Sequence, residues 1–182
     1  MDAVLDPRLV LQAQLAAAAA EKARREMLDA AVLRQEAILG MSANGASVRQ
    51  IAAAIGCSPA VVQSSLERAR GRRPRLRGRE NHVAYELHLA VTQKLLEDPV
   101  GVVQKGLLGL ERMRERPRGP VGEGWTSRWE ELLKGDLEEL RKRMLATNEE
   151  AEDLRHMSPF MGVLDDAERR DAIRKAKSLA AR

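Results

Sequence analysis

The sequence predicts an all-α fold in two parts, and three observations carry that expectation. Its composition is rich in Ala, Leu, Arg and Glu, which are strong helix formers, and no long run alternates β-branched with polar residues. Aromatic residues make up only 2% of the chain, so a core has to be assembled from Leu, Ala, Val, Ile and Met. Apolar residues recur three and four positions apart along most of the chain, the spacing of one helical face. At 182 residues there is material for one medium domain or two small ones.

The first helical stretch runs from about Asp6 to Leu39. Met27 to Gly40, with Leu28, Val32, Leu33 and Ile38, reads as the first helix of a small domain. Residues 7–25 extend it toward the N-terminus and either pack on a second subunit or are simply an Ala-rich solvent helix. Asn44 and Gly45 in SANGAS then form a strong turn signal.

Ser47 to Leu66, SVRQIAAAIGCSPAVVQSSL, reads as two short helices joined tightly. Ser47 is placed to cap the first, and Val48, Ile51, Ala52 and Ile55 form its apolar stripe. Gly56 stands where a close turn needs positive φ. Ser58 is a second N-cap candidate and Pro59 falls at the first helical position, where a missing N–H costs nothing. Val61, Val62 and Leu66 are expected inward.

This stretch resembles the helix-turn-helix unit of bacterial DNA-binding regulators, with small Ala52 at the helix crossing, Gly56 in the turn and apolar Ile51, Ile55, Val62 and Leu66. The resemblance implies that the second helix, residues 58–69, enters the major groove with its N-terminal residues at the base edges. Carried onto this chain, the outward base-contacting candidates are Ser58, Ala60, Gln63 and Ser64. The Gln63 amide is suited to a bidentate pair with adenine, and Ala60 to a thymine methyl. Helical hairpins of this size also occur in proteins that never touch nucleic acid.

Behind the hairpin lies RARGRRPRLRGR. Gly71, Pro74 and Gly78 argue against continued helix, so residues 70–80 are expected to form a flexible arginine arm between residues 1–69 and a helical part at 81–182. Such an arm suits phosphates or a narrow minor groove; an interdomain linker is the other reading. Candidate backbone contacts are Arg49, Arg68, Arg70, Arg72, Arg73, Arg75, Arg77 and Arg79. The formal net charge of +4 is distributed to match: thirteen basic against eight acidic residues through Glu80, and eighteen against nineteen from Asn81 onward.

In the second part, Val83, Leu87, Val91 and Leu95 recur every fourth residue, with Ala90 beside them. Pro99 begins another helix, to about Met113, carrying Val102, Val103, Leu107, Leu108 and Leu110. PRGPVGEG, residues 117–124, reads as a loop. Beyond it Trp129, Leu132 and Leu133 supply an apolar face, Gly135 breaks the helix, and Asp136 caps a further one carrying Leu137, Leu140 and Met144. A last helix runs from Asp166 to about Leu179, capped by Asp165 or Asp166. Trp125, Trp129 and Phe160 are candidates for a partner interface, the tryptophans equally for core anchors.

HLAVTQKLLEDP, then W…WEELL and LRHMSPFMGVLDDAERR, behind a helix-turn-helix, also resembles small regulators and antitoxin-like proteins of high-GC bacteria. That resemblance implies an N-terminal part that binds the operator of its own gene pair and a remainder that neutralises a toxin.

Cys57 is the single cysteine, which excludes an intrachain disulfide and a thiolate metal cluster. His82, His88 and His156 share no metal-ligand spacing, and GLLGLER lacks the phosphate-loop pattern. No catalytic constellation, metal or cofactor is expected. No apolar run approaches a membrane span and no signal peptide is evident, so a cytoplasmic, nucleoid-associated protein is expected. The reading that follows is a sequence-specific repressor of double-stranded DNA acting as a homodimer, since one such hairpin reads few base pairs. An antitoxin or adaptor, its C-terminal half holding a protein such as a toxin, is the alternative.

Overall fold

A computed structural model describes residues 6–115 and 119–180, and the described residues are all-α, with no strand. The chain divides into two compact units, residues 1–42 with 47–72, and residues 43–46 with 73–182. Among the described residues, no helix is long and apolar enough to cross a membrane.

The first unit holds α1 (Pro7–Ala43), α2 (Val48–Ile55) and α3 (Pro59–Gly71). Asp6 starts α1 by accepting from the Arg8 N–H at 2.9 Å, and the expected extension and support helix prove to be one continuous element. Only near its C-terminal end is α1 buried, at Gln35, Glu36, Ile38, Leu39 and Gly40. Its N-terminal length stays helical through Ala-rich propensity and i,i+4 pairs such as Lys22–Glu26 and Glu21–Arg25.

Ser47 and Gln50 form a reciprocal capping box at the start of α2: Ser47 Oγ accepts from the Gln50 N–H at 3.3 Å, and Gln50 Oε1 from the Ser47 N–H at 2.9 Å. Gly56 takes the left-handed conformation, φ 68° and ψ 39°, and Cys57 N–H returns to the Ala52 carbonyl at 3.0 Å. Ser58 Oγ accepts from the Val61 N–H at 3.4 Å and Pro59 opens α3, as the residue types predict. Two stripe residues depart from expectation, because Val61 and Ile55 are both 38% exposed. Val62, Ser65, Leu66 and Ala69 carry the inward face of α3 instead, the i, i+3, i+4, i+7 set that excludes position 61.

The second unit is built on α4 (Gly78–Glu97), which packs against α5 (Pro99–Arg114), α7 (Leu137–Leu145), α8 (Glu149–His156) and α9 (Asp166–Ala180). α6 (Gly119–Lys134) and a 3-10 turn (Phe160–Gly162) pack on α5. The expected loop at 117–124 is corrected: residues 119–124 belong to α6, and residues 117–118 lie outside the described residues. Pro120 sits in the first turn, where an absent N–H leaves no bond unmade, so it does not interrupt the helix. Asp136 caps α7 through the Glu139 N–H at 2.9 Å. Asp165, rather than Asp166, caps α9 in a capping box with Glu168.

The core gathers Val91, Leu95, Val102, Leu110, Leu132, Leu133, Leu140, Met144 and Leu154 around Trp129 and Phe160. The Trp129 ring meets Phe160 edge-on, with centroids 5.2 Å apart, and its Nε1–H donates to the Leu154 carbonyl at 3.0 Å. Gly106 and Gly109 let neighbours close on α5: a Cβ at Gly106 would lie 2.9 Å from Leu133 and Phe160, and one at Gly109 would overlap the Pro159 carbonyl. The glycines of GLLGL therefore serve close packing.

Candidate nucleic-acid interface

Four positions on the first two turns of α3 are the base-contacting candidates. Ala60 and Gln63 are exposed, whereas Val62 and Leu66 are buried. Ser58 is exposed as well, but its Oγ already serves the Val61 N–H, so it offers a helix cap first and a side-chain donor second. Ser64 is half-buried. Together with Ala60, Val61 and Arg68 it lines a groove of about 410 Å³ whose opposite wall is Ala31, Arg34 and Gln35 of α1.

Arg34 is the residue that sequence reasoning missed. It stands on the same groove as Ala60, Ser64 and Arg68 yet precedes Ala60 by 26 positions, so no local pattern links them. Arg49 on α2 and Arg68 on α3 are exposed. The cleft thus has two guanidinium-bearing residues, Arg34 and Arg68, beside small and hydroxyl side chains, a surface that accepts anionic oxygens.

The arginine arm needs correction. Helix α3 continues through Gly71 and α4 begins at Gly78, so the non-helical connection is residues 72–77. Arg72 donates to Gln35 and, at 3.0 Å, to Glu36, both on α1, and so ties the end of α3 to its own unit. Arg73 forms a two-point ion pair with Glu86, Nε to Oε1 at 2.7 Å and Nη2 to Oε2 at 3.1 Å, with side chains only 7% and 3% exposed. A guanidinium held this way is a structural group, not a phosphate contact. Arg70 is half-buried, and Arg79 stands on α4 at the edge of a cavity in the second unit. Arg75 and Arg77 are exposed and keep the predicted character.

The proposed partner-interface aromatics are corrected too. Trp129 and Phe160 lie in the core, 0% and 4% exposed, and Trp125 is half-buried against it. A chain short of aromatics uses its largest rings where they bury most area, which outweighs their value at a surface. Among the described residues, no cluster of three or more His, Cys, Asp or Glu has metal-holding geometry. No family model, curated protein or solved structure matches this chain.

Proposed function

We propose that this chain is a transcriptional regulator that binds double-stranded DNA through α2 and α3 and represses by occupying an operator. The observation that carries this reading is the arrangement at 47–71: two capped helices joined through a left-handed glycine, with Gln63 and Ala60 outward on α3 and the exposed cations Arg49 and Arg68 flanking them. α3 lies in the major groove, Gln63 reads a base edge, and Arg34, Arg49, Arg68, Arg75 and Arg77 hold the phosphates. A single hairpin reads too little sequence for discrimination among genomic sites, so the regulator acts as a homodimer on a repeated or palindromic site, in the cytoplasm with the nucleoid. The 37-residue α1, about 55 Å long, exposes Leu9, Leu15, Met27, Leu28 and Leu33, and this is the surface on which a second copy packs.

Selection of bound fragments from a random DNA pool, followed by anisotropy titration against random competitor, tests the reading. Preferred sites should emerge, and Gln63→Ala should weaken binding about 10- to 100-fold at one base pair while leaving other positions unaffected. Equal affinity for every sequence overturns it.

A further inference from the structure

One carboxylate stands alone in the stretch proposed to meet DNA. Glu67 is the only acidic residue between Glu36 and Glu80, an interval that holds Arg49 and every arginine from Arg68 to Arg79. It belongs to α3, is exposed, and among the described residues no hydrogen bond or ion pair holds its side chain. Neither capping nor packing accounts for it, since Ser58 and Arg72 cap α3 and Val62, Ser65, Leu66 and Ala69 form its inward face.

That inward set fixes which positions face the other way. Successive residues of an α-helix turn by about 100°, so a residue two places before a buried one lies about 200° from it around the axis. Ala60, Gln63, Ser64 and Glu67 stand two places before Val62, Ser65, Leu66 and Ala69 respectively. They make an i, i+3, i+4, i+7 stripe opposite the buried one, with Glu67 at its C-terminal end. Three of its members are base-contacting candidates, and a helix lying along the major groove addresses neighbouring base pairs with such a stripe. From Gln63 to Glu67 the helix rises about 6 Å, close to two base-pair steps of about 3.4 Å.

A carboxylate only accepts hydrogen bonds, and on this face it meets a polyanion. In the major groove guanine shows two acceptors, thymine an acceptor and a methyl group, and adenine an acceptor beside its donor. Cytosine alone presents a donor, its N4–H, with no acceptor next to it. Glu67 therefore suits one base and repels the edges of the others, and such exclusion of wrong partners is one of the two ways to build specificity.

We propose that Glu67 is a specificity-determining residue whose carboxylate accepts from cytosine N4, within about two base pairs of the base that Gln63 reads. The inference rests on the DNA-binding reading and adds to it a required C·G pair in the operator.

Selection from a random DNA pool with the native chain, Glu67→Ala and Glu67→Gln tests it. Anisotropy titration then compares the selected site with the same site carrying U·A in place of the C·G pair, which exchanges the N4 donor for an O4 acceptor and adds no methyl group. The native chain should select C·G within about two base pairs of the position that Gln63→Ala relaxes, and should bind the replaced site about tenfold or more weakly. Glu67→Ala should bind the two sites within about twofold of each other, and Glu67→Gln should select A·T at that pair, both with unchanged helical circular dichroism. If Glu67→Ala keeps the native base preference, or tightens binding to every sequence by one factor, Glu67 is a solvated charge only; the proposal is overturned and the DNA-binding reading stands. If the native chain selects no site, that reading fails and the proposal fails with it.

Discussion

Acid should destabilise the second unit through His88 before its carboxylates are protonated. Burial is the main reason: the imidazole stacks near Trp129, with centroids 6.0 Å apart, and meets Phe160 edge-on at 6.2 Å. Desolvation lowers its pKa from 6.5 to about 4, the hydrogen bond to the Ala84 carbonyl opposes this, and the positive Arg155 and His156 reinforce it. Since the folded pKa lies below the unfolded value, the unfolded chain takes up the proton first. Stability is therefore complete above pH 6.5 and is lost as pH falls toward 4, by about 2 kcal/mol at pH 5 and about 3 kcal/mol in all. Both tryptophans belong to this unit, so urea unfolding followed by tryptophan fluorescence reports on it alone. His88→Phe keeps a flat ring between Trp129 and Phe160 and removes the proton site. It forfeits about 1 kcal/mol at pH 7 with the Ala84 hydrogen bond and should be flatter between pH 7 and 5 by the His88 contribution. Equal losses in the wild type and His88→Phe over that interval refute the reasoning.

Arg73→Met should cost about 3–5 kcal/mol in the same unfolding assay, because it strands the buried Glu86 carboxylate, whereas Arg75→Ala and Arg77→Ala should leave stability unchanged and, under the proposed function, flatten the salt dependence of binding to DNA. Gly109→Ala should destabilise by about 1–3 kcal/mol, since its Cβ would meet the backbone carbonyl of Pro159, while Gly124→Ala, in α6 with open space around it, should gain about 0.5–1 kcal/mol from helix propensity; thermal unfolding by circular dichroism separates the two. Ser47→Ala removes one half of the α2 capping box and should cost about 1 kcal/mol, measured as local amide exchange over residues 48–55.

The caps and turns were legible residue by residue, because each depends on a side chain and a backbone group a few positions away. Ser47, Gly56, Ser58 with Pro59, and Asp136 all do what their types and spacing foretell. The Val91 and Leu95 end of the α4 stripe is in the core as expected, and its Val83 and Leu87 end lines the cavity. Buried Tyr85, Glu86, His88 and Thr92 were not legible as a second packed face of α4. A helix surrounded on several sides buries polar positions whose partners come from elsewhere, and periodicity registers only apolar ones.

The arginine-rich run shows where local pattern stops. Sequence alone settled the helical class, the position of the hairpin and the concentration of positive charge before Asn81, since these follow from propensity, capping and composition. Which of the seven arginines between Arg68 and Arg79 stays at the surface depends on acceptors in other elements: Glu36 for Arg72 and Glu86 for Arg73. The same holds for Arg155 on α8, 2% exposed, which the Met144 and Ala146 carbonyls at the end of α7 draw inward. Charge is a property of residues, whereas its availability to a ligand is set by packing, because burial and a fixed partner decide whether a guanidinium meets solvent, carboxylate or phosphate.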